Sequence, residues 1–355
     1  MINTTRLLTD EKEYVKTAIA RKGYDVTSID KLVELLIQIR EKRSLIEGLR
    51  RKRNDEKNDR TVSVEDKRSL RDRISKEESL LLELEEESKA LLYDIPNLPD
   101  DDAPDGRDES DNLVIDECAD DYYHCQFCSE NGLDIELASK ISGSMFSVFK
   151  GKGAKLLRAL IYYCFSLNEE KYLELVPPHL VSSRSLTYTG HLPKFADDQY
   201  KCQMDDLWLI PTAEVPLTAS FAETVTPIKE LPIYRMAYTV AFRREAGSAG
   251  KDTRGLQRLH EFHKVELLKV VSPKQVESEL QDLLQDCLRI IKALKLQYRI
   301  VDLCAGDMGD KYARCYDIEV YSPGVKRWLE VSSVGHFSDY QARRANIRFR
   351  DTDGT

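Results

Sequence analysis

The chain has 355 residues, of which 32% are charged and 41% are apolar, and its formal net charge is −9. This length and apolar content exclude disorder throughout the chain and are sufficient for two domains. No apolar stretch reaches the ~20 residues that a membrane span needs, and the negative net charge argues, at first, against a nucleic-acid partner.

The N-terminal segment, MINTTRLLTDEKEYVKT, is too acidic for a secretory signal or a transit peptide. We therefore expect a cytoplasmic protein with no membrane contact. Eight cysteines are spread over the chain, and in that compartment we expect them to be free thiols.

The charge is distributed unevenly along the chain. Residues 77–130 contain 19 acidic and two basic residues, whereas residues 40–76 contain 14 basic and eight acidic ones. Outside the acidic segment the chain therefore has a net positive charge. Two interpretations of the basic region stay open from charge alone, a solvated helix surface and a surface for a polyanion.

Heptad spacing predicts two long helices within an N-terminal domain over residues 1–96. The first helix, over residues 29–60, has apolar columns made by Leu32, Ile39 and Ile46 and by Leu35 and Leu49, with Lys42 between the last two. The second helix, over residues 65–93, repeats the pattern with Leu70, Glu77, Leu84 and Leu91 and with Ile74 and Leu81.

The polar residues 54–63 between these helices predict a reversal of the chain. The helices would then form an antiparallel coiled-coil hairpin over residues 29–93, and we expect it to project as an arm. Basic residues of its far end include Arg50, Arg51 and Arg53. A coiled coil that joins two chains is the alternative.

After the hairpin, IPNLPDDDAPDG predicts a linker, which we extend over residues 97–130. Residues 154–168 and 274–294 have helical spacing, and the rest of the chain alternates short β-rich runs with loops. The sequence SPGV at residues 322–325 predicts a hairpin turn. Together these signals predict an α+β domain over residues 131–355, built on an antiparallel β-sheet with flanking helices.

The segment AFRREAGSAGKDTRGLQRLHEFHKVE, at residues 241–266, carries the most chemical information. Two β-like runs flank a glycine-rich loop, and strand alternation predicts that Arg258, Phe262 and Glu266 share one face. A cation, an aromatic ring and a carboxylate that are buried together without a ligand are costly. This face is therefore a candidate binding site.

This segment resembles motif 2 of the class II aminoacyl-tRNA synthetases, specifically that of the seryl-tRNA synthetases. The segments TGHLPKF, IPTAEVPLT, CYDIEVY, LEVSS and DYQARR are similar to other parts of that family and occur in the same order. The helical hairpin, the linker and ISGSMF resemble the family as well. The resemblance covers essentially the whole chain and implies a class II catalytic domain with an N-terminal tRNA-binding arm.

The resemblance also implies the reaction. A seryl-tRNA synthetase activates L-serine with ATP to seryl-adenylate, using Mg²⁺, and transfers the serine to tRNA(Ser); tRNA(Sec) stays open as a second acceptor. By resemblance, Arg243 is the catalytic residue and contacts the α-phosphate and the serine carboxylate, two groups that suit a guanidinium fork. The paired prolines that end at Pro178 resemble motif 1, which implies a homodimer.

The serine site is carried over from the same motifs. By resemblance, Thr212, Ala213, Glu214 and Glu266 join Arg243 around the serine ammonium and hydroxyl. Hydrogen-bonding groups for the hydroxyl would discriminate against alanine. For Glu214, a purely structural ion pair is the alternative.

The ATP and metal sites are implied in the same way. By resemblance, Glu245 and Phe262 hold adenine and Arg258 contacts the terminal phosphates. The full ATP-binding set is Arg243, Arg244, Glu245, Arg258, Phe262, Glu330, Val331, Ser332 and Ser333. Glu330 and Ser333 resemble Mg²⁺ ligands, and since strict alternation would place them on opposite faces, this requires the strand to bend or end near Ser332.

Two segments depart from the family's usual pattern. AGDMG at residues 305–309 stands where the family usually has TGDLG, and SSVGH at residues 332–336 stands where it has SSCSN. The chain also stops at Thr355, before the family's motif 3, so we expect a C-terminally incomplete catalytic domain. A catalytically inactive synthetase-like protein that retains tRNA or partner binding is therefore the alternative function.

Two weaker motifs are set aside. His124, Cys125 and Cys128, with Cys118 nearby, have no second pair at structural-zinc spacing. The sequence GKG at residues 151–153 is too short for a phosphate-binding loop.

Overall fold

The computed structural model describes residues 1–57, 61–118, 132–246 and 256–351. The chain divides into two compact units, Met1–Leu98 and Pro99–Thr355. None of the helices within the described ranges is long and apolar enough to cross a membrane.

The first unit is helical. Its helices are α1 (Thr4–Leu7), α2 (Lys12–Arg21), α3 (Thr27–Glu56) and α4 (Val64–Asp94). The two long helices match the helices predicted over residues 29–60 and 65–93 to within a few residues at each end. The short helices α1 and α2 were not predicted. They bury Leu7, Val15 and Ile19 in one cluster with the first turns of α3.

The long helices form the predicted antiparallel hairpin. Lys31 of α3 pairs with Glu87 of α4, and Lys42 pairs with Glu77, so residue numbers rise along α3 as they fall along α4. Six apolar heptad residues of α3 are buried, namely Ile29, Leu32, Leu35, Ile39, Ile46 and Leu49. This seam is covered within the chain, so the alternative of a coiled coil between two chains is not needed to bury it.

A serine cap and a proline set the two ends of α4. Ser63 precedes the helix, and its hydroxyl accepts a hydrogen bond of 3.0 Å from the Asp66 N–H, as N-cap serines commonly do. The helix ends at Asp94, one residue before Ile95. Because Ile95 precedes Pro96, it is disfavoured from helical geometry, and the chain leaves the helix there.

The second unit is an α+β domain, as predicted. Its helices are α5 (Ile135–Ser142), α6 (Lys152–Ser166), α7 (Ser183–Tyr188), α8 (Glu214–Ala219), α9 (Val276–Ala293) and α10 (Tyr340–Ala345). Its strands are β1 (Leu113–Cys118), β2 (Leu173–Glu174), β3 (Leu180–Ser182), β4 (Leu207–Leu209), β5 (Val225–Pro227), β6 (Ile233–Phe242), β7 (Glu261–Val270), β8 (Tyr298–Asp302), β9 (Arg314–Ser322), β10 (Arg327–His336) and β11 (Arg348–Arg350).

Two sheets carry the candidate site. One is antiparallel with the order β1-β8-β9-β10, and the other has the order β2-β6-β7, in which β6 and β7 form a long antiparallel hairpin. Two-stranded pairs β3-β4 and β5-β11 complete the described strands. The predicted SPGV turn is confirmed, because it joins β9 to β10 with Arg327 opposite Ser322.

Helix α9 packs against one face of the β1-β8-β9-β10 sheet. Its apolar residues recur at helical spacing and pack against β8, β9 and β10, with a core made by Leu280, Leu284, Leu288, Ile291, Ile300, Ile318 and Val334. The prediction of a helix over residues 274–294 is thus confirmed, with a short 3₁₀ turn at Pro273–Gln275 before it. Burial of this apolar stripe gives β9 and β10 a rigid support.

The expectation of a linker over residues 97–130 needs a correction. Residues Leu113–Cys118 form β1, which pairs with β8, and the residues just before β1 make specific contacts with the rest of the second unit, as described below. The many Asp and Pro residues around this short apolar strand made the whole segment resemble a linker in composition. Residues 119–130 lie outside the described part of the chain.

Candidate active site

The β6–β7 hairpin brings Arg243 and Phe262 together. Arg243 directly follows β6, and its backbone N–H donates to the His260 carbonyl over 3.0 Å. The guanidinium carbon of Arg243 lies 5.0 Å from the centre of the Phe262 ring. This distance is typical of a cation–π contact. Residues 247–255, most of the glycine-rich loop, lie outside the described ranges.

Arg258 reaches the site by a route different from the predicted one. Strand β7 begins only at Glu261, so Arg258 precedes it and does not share a strand face with Phe262 and Glu266. Instead, its Nη1 donates to Glu245 Oε2 over 2.8 Å. The prediction extended strand alternation too far, but both residues that resemble ATP contacts still lie side by side.

Asp198 holds the backbone that carries Arg244 and Glu245. The Arg244 N–H donates to the Asp198 carbonyl over 2.9 Å, and the Ala246 N–H donates to Asp198 Oδ1 over 3.0 Å. Glu245 lies between these bonds with φ of +52°, a left-handed conformation that is uncommon for a residue with a side chain. The surrounding hydrogen bonds thus fix the turn from which Glu245 projects.

Thr212 and Glu266 are joined directly. The Thr212 hydroxyl donates to Glu266 Oε2. Lys264 donates to the same hydroxyl over 2.9 Å and lies 2.8 Å from the same carboxylate oxygen. The site therefore has a hydroxyl, a carboxylate and an ammonium group within hydrogen-bonding distance of one another.

Glu214, the first residue of α8, is buried and has two partners. Lys311 forms an ion pair with its Oε2, and Gln341 Nε2 donates to its Oε1 over 2.7 Å. The structure thus contains the ion pair that the alternative interpretation of Glu214 expected. Ala213 is fully buried beside Leu217, so its methyl group contributes to packing.

Glu330 and Ser333 lie together because β10 contains a bulge. The register with β9 shifts between Glu330 and Ser332, and this leaves Val331 as the extra residue. The Ser333 hydroxyl consequently donates to Glu330 Oε1 over 2.8 Å. This is the bend that the metal-site prediction required.

Asp317 faces the same pair from β9. It is the register partner of Ser333. Burial, followed by the negative charge of Glu330, raises the pKa of the Asp317 carboxyl to about 7. Two nearby carboxylates and a hydroxyl are oxygen donors that fit Mg²⁺. Within the described ranges, no three His, Cys, Asp or Glu residues cluster as a complete metal site.

Several site residues were not singled out from the sequence. Lys264 could have been found, because it alternates with Phe262 and Glu266 along β7. Lys311 and Gln341 carry no local signal, since they are far from Glu214 in the chain. His191, within the TGHLPKF segment, accepts or donates a hydrogen bond of 2.8 Å with Thr189 Oγ1.

His191 is held in its neutral form. Burial lowers its pKa well below the ordinary value of 6.5, and the charges of Lys311, Arg243 and Lys264 lower it further. A neutral imidazole therefore lies among three cations of the site.

The basic residues predicted at the end of the hairpin lie in the last turns of α3. Arg50 pairs with Glu78 over 2.7 Å and Arg51 pairs with Glu47, and both guanidinium groups stay largely exposed. Arg53 is exposed as well. Residues 58–60 lie outside the described ranges, as do His124, Cys125 and Cys128 of the weak zinc motif.

Comparisons with known proteins agree with this architecture. The family described as tRNA synthetase class II core domain (G, H, P, S and T) matches residues 198–355. A serine–tRNA ligase from Thermomicrobium roseum is 41% identical over 368 aligned residues, covering 98% of this chain and 82% of that protein. One from Thermosynechococcus vestitus is 46% identical, covering 79% and 68%.

A solved structure is similar over the whole chain. It is the seryl-tRNA synthetase from Pyrococcus horikoshii complexed with ATP, with a TM-score of 0.91 and 29% sequence identity. The alignment covers 100% of this chain and 88% of that one.

Proposed function

This chain belongs to the serine–tRNA ligase family of class II aminoacyl-tRNA synthetases, and we propose that it activates L-serine with ATP and transfers it to tRNA(Ser). The observation that carries the proposal is a pair of clusters that the β6–β7 hairpin forms, the second of them with Thr212 from the segment before α8. Arg243 with Phe262 suits a nucleotide, and Thr212 with Glu266 suits a small hydroxylated amino acid. A cytoplasmic location stays a prediction from the sequence.

In the first step, a serine carboxylate oxygen attacks the α-phosphorus of ATP, forming seryl-adenylate and releasing pyrophosphate. Serine already carries this anion at neutral pH, so the step needs no general base. We assign to Arg243 the contact with both reacting anions. A fixed guanidinium reduces their repulsion and stabilises the charge that develops at phosphorus.

Phe262 and Glu245 form the proposed adenine site. The ring offers a stacking surface, while the Glu245 carboxylate can accept a hydrogen bond from the adenine amino group. Arg258 now donates to Glu245, and we propose that it turns to the terminal phosphates when ATP binds. Arg244, Val331 and Ser332 complete the site, chiefly through the backbone of the turn and the bulge.

Glu330 and Ser333 are the proposed Mg²⁺ ligands, with Asp317 beside them. A Mg²⁺ ion held by these residues would neutralise part of the charge of the ATP phosphates. The bulge at Val331 gives the two side chains a common face.

Serine is selected by groups that pair with its ammonium and hydroxyl. Thr212, Glu214 and Glu266 supply oxygen atoms around the proposed pocket, and the backbone at Ala213 connects the first two. Lys311 and Gln341 hold the Glu214 carboxylate in one orientation. Alanine has no hydroxyl that could pair with these oxygen atoms, which disfavours its activation.

The helical hairpin is the proposed tRNA-binding arm. Arg50, Arg51 and Arg53 expose positive charge near its far end, as contacts with phosphates require. We propose that the enzyme charges tRNA(Ser). An aminoacylation assay with tRNA(Sec) in place of tRNA(Ser) tests the second acceptor.

The enzyme is also a proposed homodimer. Several apolar side chains of α6, β2, β3 and their neighbouring loops are exposed, namely Leu156, Tyr162, Leu173, Val176 and Leu180. They surround Pro178 in the chain, in the segment that resembles motif 1. Exposed apolar side chains concentrated in one segment of the chain favour a protein–protein interface.

Serine-dependent exchange of labelled pyrophosphate into ATP tests the proposal. The protein should exchange with serine and not with alanine, and Arg243→Lys should lower the rate roughly a hundredfold. Arg348→Lys, an exposed residue of β11, is the matched control. A folded dimer that binds tRNA(Ser) but shows no exchange would instead support the synthetase-like binding protein.

A further inference from the structure

Residues 100–112, which we call the strap, make many contacts with the loop at residues 304–314 and with the end of β10. We infer that the strap positions the serine pocket through this loop, with Asp100 and His336 as positioning residues. The inference rests on the proposed function and assigns a role to the segment that composition described only as a linker.

One end of the strap is fixed at the start of β9 and the end of β10. The Asp100 N–H donates to the Ala313 carbonyl over 2.9 Å, and Asp100 Oδ2 lies 2.7 Å from His336 Nε2. The Ala313 N–H donates to the His336 carbonyl over 2.9 Å. Asp100, Ala313 and His336 therefore form a closed set of hydrogen bonds.

A second anchor lies beside the first. Asp102 Oδ1 lies 2.9 Å from Arg314 Nη1. Arg314 is buried and also forms a two-pronged ion pair with Asp302, at 2.9 and 2.6 Å. The same guanidinium thus joins the strap to β8, and Arg314 is the register partner of His336.

The other end of the strap contacts the start of the loop. The Pro104 carbonyl accepts from the Ala305 N–H over 2.8 Å, and Asn112 accepts from the Cys304 N–H over 2.8 Å. A Cβ added to Gly306 would lie 2.5 Å from the Gly106 carbonyl oxygen. The two backbones approach so closely that this position accepts only glycine.

The loop between these anchors carries Lys311, the ion-pair partner of Glu214. The Lys311 ammonium lies 5.3 Å from the ring centres of both Tyr312 and Phe337. Phe337 directly follows His336. Contacts therefore continue from Asp100 through His336 and the two rings to Lys311, and from there to the carboxylate proposed to bind serine.

The two departures from the family pattern fall on this same chain of contacts. Ala305 is fully buried under the strap, and His336 is the partner of Asp100. Gly335 provides space for Tyr312, because a Cβ there would lie 2.5 Å from the ring. These residues fit one another, which indicates a shared role in placing the loop.

The test uses Asp100→Ala, His336→Ala and His336→Asn in the full chain. The two alanine variants should raise the KM for serine roughly tenfold in pyrophosphate exchange, while the KM for ATP stays within about twofold. His336→Asn should restore most of the serine affinity, because its amide N–H can still donate to Asp100. Glu223→Gln, in an exposed ion pair with Arg184, is the matched control.

Amide hydrogen exchange gives a readout that does not depend on activity. Exchange at residues 309–313 should become faster in both alanine variants and not in His336→Asn or Glu223→Gln. Unchanged exchange at these residues, or equal increases in the two KM values, would overturn the positioning role. If the wild-type protein showed no serine-dependent pyrophosphate exchange, the proposed function alone would be contradicted. The amide hydrogen exchange at residues 309–313 would still test the positioning role.

Discussion

Ser333 donates a 2.8 Å hydrogen bond to Glu330, although residues three apart on a regular strand point to opposite faces. The bulge at Val331 removes the conflict by adding one residue to β10. Two oxygen donors thus lie on one face of β10, while Val331 has no partner residue on β9.

Replacing Ser333 by alanine tests the metal site. Ser333→Ala removes one proposed ligand but leaves the bulge, so the Mg²⁺ concentration for half-maximal exchange should rise several-fold. The KM for serine should change little. Titration of Mg²⁺ at fixed ATP measures the Mg²⁺ requirement, and pyrophosphate exchange at varied serine measures the KM for serine, with Ser322→Ala at the β9–β10 turn as the control. An unchanged Mg²⁺ requirement would remove Ser333 from the ligand set.

Thr212→Val tests the serine pocket. Valine keeps the shape of threonine but leaves Glu266 and Lys264 without the hydroxyl that now pairs with both. The kcat/KM for serine should fall roughly tenfold or more, because two partly buried charged groups lose a partner, whereas the KM for ATP should stay close to its original value. Pyrophosphate exchange at varied serine and at varied ATP measures the effects on the two substrates separately. Equal effects on both substrates would indicate general damage to the hairpin.

Neutralising the end of the arm should separate the two half-reactions. Replacing Arg50, Arg51 and Arg53 by glutamine should lower tRNA(Ser) charging roughly tenfold and leave pyrophosphate exchange nearly unchanged. The salt dependence of tRNA binding should become shallower by about one unit for each arginine that no longer binds a phosphate. Lys31→Gln, in an exposed pair with Glu87 far from this end, is the control. Equal reductions in charging and exchange would show that these arginines do not contact tRNA.

His191 should make the second unit sensitive to acid. Its pKa is lower in the folded protein than the unfolded value of 6.5, so the unfolded chain binds the proton more readily. Its contribution to stability is therefore complete above pH 6.5 and is lost as the pH falls below that value. His191→Gln should show a smaller fall in melting temperature between pH 7 and pH 5 than the wild type. Parallel curves for the two proteins would contradict this.

Features encoded by local periodicity could be predicted from the sequence. Heptads located α3 and α4, helical spacing located α9, and the SPGV turn located the β9–β10 hairpin. The same logic failed for Arg258, where the strand starts later than alternation assumed. Strand β1 was missed because its short apolar run lies among acidic residues.

Contacts between distant parts of the chain were beyond such patterns. Lys311 and Gln341 meet at Glu214 only after the sheets have assembled, and no spacing in the sequence relates them. The motif resemblance located Thr212, Glu266 and Arg243 but not the lysine that links the first two. A neutral histidine among cations is also a property of the assembled site, since it depends on burial.

The ion pair between Lys42 and Glu77 has a consequence for how the hairpin finds its alignment. A seam of leucine and isoleucine alone would tolerate a slip of seven residues, because one apolar layer would replace another. After such a slip Lys42 would face Leu70 or Leu84, and Glu77 would face Leu35 or Leu49, so both charges would lose their partner inside the seam. This one charged layer thus distinguishes the native alignment from the alignments shifted by seven residues. It also sets which residues of α3 lie opposite the start of α4.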